Sequence, residues 1–252
     1  MNKLISVLIF LILLLTIGFS YKTREHRFAF VKELKKAVNI IENKKTEKID
    51  IIDRPIIFDA QRKYLTATYR EKHTGDCDYK SKGVEECIRI EPKLIILHMT
   101  EIKTLEASFE HMKEPVLSEE REKLISRSYD RLNVSAHYLI DRDGSIYNLM
   151  PEYYMARHAI GVNHNSIGIE NVGTNKEGPS QEQIESAKKL VTYLIKKYEI
   201  PLNNVYSHAG TKVLKESNNP LFVEKDTSYF EQKYCGEKVL TAVKEGLSGE
   251  GY

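Results

Sequence analysis

Apolar positions fall in two patterns along this chain. Leu94-Ile95-Ile96-Leu97 is an unbroken apolar run between Lys93 and His98, the mark of a strand covered on both faces. Ser166 to Val172 reads the same way. Val134 to Ile140 and Ser145 to Leu149 flank Asp141-Arg142-Asp143-Gly144, a turn sequence that predicts a hairpin. Val205 to His208 is a last short strand. The second pattern has a helical period. Ser180 opens a helix through a capping box with Gln183, and Glu182 and Glu185 suit its positive end. Ile184, Ala187, Leu190, Leu194 and Tyr198 form its expected buried face, and Pro201 ends it. Leu117 to Tyr129 predicts another helix. So does Arg24 to Lys45, where Phe28, Val31, Leu34, Val38 and Ile41 recur at three- and four-residue steps. Alternating strands and helices predict an α/β class, a mixed central β-sheet flanked by helices, with an N-terminal helical extension.

Three segments follow from these patterns. Residues 1–20 begin with Lys3 and continue in uncharged, Leu- and Ile-rich sequence, with Gly18 and Ser20 before a candidate cleavage point. This is the pattern of a secretory signal; an uncleaved membrane anchor is the alternative. Either one takes the chain out of the cytoplasm, to the periplasm or cell envelope. Residues 21–92 form an extension expected to pack on the main domain. Within it Ile51, Ile52, Ile56, Ile57 and Phe58 suggest a strand broken at Pro55. Residues 93–245 form the main domain. The charge balance is near neutral, Lys+Arg 38 against Asp+Glu 36 in 252 residues, which argues against a nucleic-acid binder. Of the three cysteines, Cys77 and Cys87 bracket a short polar loop and suit a local disulfide in an oxidising compartment, with two unpaired thiols as the alternative. Cys235 is left without a role. There is no phosphate-binding loop, so no organic cofactor is expected.

Candidate chemistry lies at the strand ends. His98 and His208 each close an expected strand, where an imidazole can reach a cleft and bind a metal or simply be a hydrogen-bonded core residue. Glu170 sits in Ile167-Gly168-Ile169-Glu170, where a carboxylate needs a partner, a purpose or a solvent-facing position.

Four segments together resemble the type-2 N-acetylmuramoyl-L-alanine amidases, whose fold includes the peptidoglycan recognition proteins. They are Lys93 to His98, Asn133 to Gly144, Ala156-Arg157-His158-Ala159, and Asn165 to Glu170, followed by a helix and then Ser207-His208. The resemblance covers residues 93–235 and is nearest the bacterial, Glu-using branch, since Ala136 stands where the recognition-protein branch has tyrosine. It implies Zn2+ as cofactor, with His98 and His208 as ligands and Glu170 activating water. His137 and His158 match cleft positions, and His158 either touches substrate or makes a structural hydrogen bond. Arg157 replaces a frequent tryptophan.

The family's third ligand is an aspartate or a cysteine close after the second histidine. Thr211 to Val223 reads as an insertion, which makes Asp226 the expected third ligand and Glu216 its rival. The family's oxyanion-steadying basic residue sits two positions before that aspartate. Glu224 occupies the place, so Lys225 or Lys212 is expected to stand in. The implied function is zinc-dependent hydrolysis of the lactyl–L-alanine amide bond of peptidoglycan or muropeptides, by a monomer. A non-catalytic peptidoglycan-binding module of the same fold is the alternative.

Overall fold

The computed structural model describes residues 49–119, 131–226 and 235–248. The helix expected at 24–45, the signal or anchor at 1–20 and most of the helix expected at 117–129 lie outside these residues. Among the described residues no helix is long and apolar enough to cross a membrane.

The sheet is built around its most apolar strands. β2 (Leu94–Met99) is buried at every position and pairs in parallel with β5 (Ser166–Asn171) on one side and β6 (Val205–Ser207) on the other. β3 (Tyr138–Ile140) pairs in parallel with β5 and antiparallel with β4 (Ile146–Asn148), closing the predicted hairpin. β1 (Ile51–Asp53) runs parallel to β4 at the edge. The six strands lie in the order β1-β4-β3-β5-β2-β6, so the sheet is mixed with a single antiparallel pair.

The hairpin ladder is shorter than the apolar pattern suggests. Ser135 and His137 donate their amides to Arg157 and Gly168 carbonyls instead of continuing it.

Seven helices are named among the described residues: α1 (Ala60–His73), α2 (Tyr79–Lys82), α3 (Val84–Cys87), α4 (Leu105–Lys113), α5 (Gln181–Tyr198), α6 (Thr211–Glu216) and α7 (Glu237–Ser248). α5 starts at the predicted capping box, with both Ser180 and Gln183 bonds made. Its buried face is turned slightly from the expected one, to Gln183, Ala187, Leu190, Val191, Leu194 and Ile195. The turn brings the Gln183 amide onto the Ile140 and Val172 carbonyls at the strand ends.

Ile95, Leu97, Ile167 and Ile169 project from one sheet face and form a core with apolar residues of α5 and α7. The alternate positions of the same strands face the other way. Leu94 and Ile96 pack there with Ala159, Val162 and Leu214, while Phe109 and Met112 of α4 join Leu139 and Val172 in a neighbouring cluster.

The described residues before β2, 49–93, are tied down as firmly. Cys77 and Cys87 form the disulfide expected from their spacing, with Cα atoms 5.5 Å apart. Arg62 of α1 is wholly buried and donates to the carbonyls of Ile57, Met112, Lys113 and Glu114. Burial draws its pKa down to about 10, and these acceptors engage Nε and Nη2, offsetting part of the cost of enclosing a guanidinium whose Nη1 is buried without a partner.

Candidate metal centre

Strand register brings the first residues of the site together. His98 lies opposite Glu170 in the parallel β2–β5 pair, so both side chains leave the sheet on the same face. Leu97 lies opposite Ser207 in the β2–β6 pair, and His208 follows immediately, its amide donating to the Leu97 carbonyl at 3.1 Å. The three strands run parallel, so all three residues stand at one edge of the sheet. His98 Nδ1 is 3.1 Å from His208 Nδ1 and 3.9 Å from Glu170 Oε1.

Cys235 joins them from far along the chain. The nitrogens of His98 and His208 and the sulfur of Cys235 lie within 4.8 Å of one another. The residue after it explains the approach. Gly236 has φ +85°, and a Cβ there would sit 2.1 Å from the Leu97 carbonyl oxygen. That obstacle is backbone in a central strand, so only glycine lets the chain press against β2 and present Cys235 beside His98. Ser207 Oγ donates to Glu237 Oε1 at 2.6 Å, fixing the start of α7 to the end of β6.

This trio opens into a cleft of about 310 Å³, lined also by Glu170, His158, Arg157, Glu101 and His111. The donor set suits zinc. Two imidazole nitrogens and a thiolate with one position left open is a catalytic zinc pattern. Two nitrogens each about 2.0–2.1 Å from a tetrahedral ion stand roughly 3.3 Å apart, close to the spacing seen here.

The structure does not bring the expected third ligand to this group. The backbone amide of Lys225 donates to the His73 carbonyl at the end of α1, and Glu224 Oε1 lies 2.9 Å from His73 Nδ1. The Asp226 amide in turn donates to Glu224. The Lys225 side chain lies against Gly75. Residues 224–226 are thus docked on α1, and Asp226 is not among the gathered ligand atoms. Glu216 and Lys212 pair with each other at 3.4 Å on the exposed side of α6. The residues from Thr211 onward form α6, and Leu214 anchors them in the core. Cys235 follows His208 by 27 residues, further along the chain than the aspartate pattern allowed. The signal for Cys235 was its neighbour Gly236 and its position as the odd cysteine.

The remaining histidines differ in use. His137 donates from Nε2 to the Tyr154 carbonyl at 2.8 Å and accepts the Gly168 amide at Nδ1, 3.0 Å away. Both nitrogens are spent on backbone, and burial pulls its pKa to about 4, so it is a neutral structural brace. His158 stands between His98 and Ser166, with its Nδ1 3.1 Å from His98 Nε2 and its Nε2 3.2 Å from Ser166 Oγ. Burial, then the neighbouring His137 and His208, keep it well below the ordinary 6.5. Its ring lies over Gly168, where a Cβ would come within 2.6 Å of it.

Comparison with known proteins adds the family. Two phage proteins described as endolysins, from Escherichia phage T7 and Enterobacteria phage T3, are each 35% identical over 74 residues. Each match covers 27% of this chain and 49% of the relative, so the chain spans about half the length of the curated relatives it matches. The solved N-acetylmuramoyl-L-alanine amidase LysC from Clostridium intestinale URNW is similar at 20% identity and a TM-score of 0.47, over 80% of this chain and 99% of that one. Residues 89–220 match the N-acetylmuramoyl-L-alanine amidase family, a stretch that contains His98, His158, Glu170 and His208 and stops short of Cys235. That match takes in more than half of the chain, which belongs to the N-acetylmuramoyl-L-alanine amidase family.

Proposed function

We propose that this protein is a zinc-dependent amidase that hydrolyses the bond between the muramic acid lactyl group and the first L-alanine of the peptidoglycan stem peptide. The observation that carries the proposal is the gathering of His98, His208 and Cys235 beside the Glu170 carboxylate in one cleft. A binding module needs no carboxylate next to three metal-ligating atoms.

His98, His208 and Cys235 would hold the ion. Zinc bound by such a set supplies a water acidified to near neutral pKa and a polarised scissile carbonyl. Glu170 takes the water proton on a carboxylate oxygen as the lactyl carbonyl is attacked, then gives it to the departing L-alanine nitrogen. The proton thus moves from water to leaving group, and one water is consumed for each amide cut. The cleft residues around Glu170 limit competing water and hold the carbonyl near the carboxylate.

A donor for the oxyanion follows from the change of ligand. The family resemblance puts a basic residue two positions before the third ligand. With Cys235 in that role the position is Lys233, where the aspartate assignment gave Glu224. We assign the oxyanion role to Lys233 from the sequence alone, since it lies outside the described residues. We further propose that residues 1–20 direct export to the periplasm or cell envelope as a signal or anchor, that residues 93–245 are the amidase domain and residues 21–92 its N-terminal extension, and that the protein works as a monomer on peptidoglycan or muropeptides.

Purified peptidoglycan digested by the protein and read by mass spectrometry tests this. The expected products are stem peptides with a free L-alanine amine, lost with a chelator and regained with zinc. Binding to the wall without release, even with added zinc, would replace the enzyme reading with that of a binding module.

A further inference from the structure

His98 Nδ1 is the nitrogen beside His208 and Glu170, and its other nitrogen faces His158. A neutral imidazole has one N–H and one bare nitrogen, and the neighbour of one fixes the state of the other. The chain of contacts can be followed from its far end. Ser166 Oγ lies 2.6 Å from the Val162 carbonyl oxygen. Two oxygens that close need a proton between them, and a carbonyl has none, so the serine proton is committed there. Ser166 Oγ can therefore only accept from His158 Nε2, 3.2 Å away. With its proton on Nε2, His158 presents a bare Nδ1 to His98 Nε2 at 3.1 Å. His98 then carries its own proton on Nε2. Its Nδ1, the atom beside His208 and Glu170, is left bare to bind a cation.

We infer that His158 and Ser166 are positioning residues which lock His98 in the tautomer that ligates through Nδ1, an inference that rests on the metal-site reading above. β5 is organised for this along one face. Ser166 anchors the relay, Gly168 leaves room for the His158 ring, and Glu170 faces the reacting centre two residues further on. His158 is then spent within the protein and is not a substrate contact. Ligand histidines oriented by such an outer partner typically lose about 10–100-fold in metal affinity when the partner is removed.

The test uses full-length protein and two readouts. The first is nitrogen-15 NMR of the histidine side chains in metal-free protein, with His98 assigned by loss of its signals in His98→Ala. Wild type should show His98 with a protonated Nε2 and a bare Nδ1. The second is zinc affinity by competition with a chromogenic chelator. His158→Leu should release the fixed His98 pattern and weaken zinc about 10–100-fold. Ser166→Ala, which keeps the ring, should loosen the pattern and weaken zinc by less. His158→Asn, which restores an acceptor toward His98, should recover much of the affinity. A wild-type His98 protonated on Nδ1 would overturn the inference, as would unchanged zinc affinity in both His158→Leu and Ser166→Ala. Failure of the metal site itself would look different. Wild type would then bind no zinc, while the NMR pattern would still report whether the relay exists.

Discussion

The candidate metal centre has two halves that reach the same place by different means. His98, Glu170 and His208 stand at the ends of three neighbouring parallel strands, and strand register alone sets them side by side. Cys235 arrives from a separate part of the chain, well beyond α6, and is placed by one close contact between Gly236 and the Leu97 backbone. The first half is positioned by alternation: Leu97 and Ile169 must face the helices, so His98 and Glu170 must face the cleft. The second half has no such repeating constraint. Its precision comes from a glycine and from Ser207 holding Glu237. Residues on a rigid sheet can be read from a pattern, whereas a residue delivered by a loop must be found by its contacts.

The largest test of this contrast exchanges the third ligand. Cys235→Ala should remove zinc and lower kcat/KM by about 10⁴-fold, several kcal/mol of transition-state stabilisation. Asp226→Asn should change it less than about 3-fold, within the range of an ordinary surface substitution. Zinc content and stem-peptide release measured on both variants would decide it, and the reverse outcome would return the role to Asp226.

Glu170→Gln comes next. It should keep zinc and lower kcat by about 10³-fold, as loss of a general base does. Loss of zinc in this variant would mean that Glu170 works mainly as part of the binding site.

Acid should expose the bracing of the strand half. His137 has its pKa pulled to about 4 by burial, against 6.5 for an unperturbed histidine. The sign is that of a depressed group. The unfolded chain takes up a proton below pH 6.5 while the folded protein does not, so this stability is present above 6.5 and lost as pH falls toward 4. The loss attributable to His137 approaches about 3 kcal/mol. Urea midpoints at pH 7 and pH 4.5 should converge in wild type minus His137→Gln; a constant difference between the two would count against it.

Lys233→Ala should lower kcat by about 10²-fold with little change in zinc affinity, while Lys225→Ala should have little effect on kcat. Equal effects would place neither lysine at the oxyanion. Gly236→Ala should cost about 2 kcal/mol of stability, because a methyl group would have to displace a central strand or strain a left-handed backbone. Chemical denaturation reads it, and zinc affinity should fall with it if Cys235 moves away.

The same contrast explains what could be read from the sequence. β2, β5 and α5 were legible because each carries a long pattern that only one arrangement can bury. His98 and Glu170 lie opposite each other on β2 and β5 and His208 follows β6, so register alone makes these three candidates neighbours. Arg62 was not legible, since a charged residue in a polar helix looks exposed until its carbonyl acceptors, fifty residues on, are known. β1 was half legible: a strand is there, but Pro55 and the short edge pairing limit it to three residues. Asp226 stands apart from the gathered group for a physical reason. An acidic residue near the second histidine resembles the aspartate pattern, but Glu224 and the backbone around Asp226 are used to hold His73 and the end of α1.

Gly236 has a consequence for the order in which the candidate site is completed. The ribosome delivers His98, Glu170 and His208 well before Cys235, and α7 cannot settle on β2 until Gly236 has been made. A nascent or truncated chain that stops before this point has a sheet and two histidines but no closed chelate. On the proposed assignment the three ligands can come together only after synthesis has passed Gly236, so docking of α7 against β2 and completion of the ligand set become a single closing event.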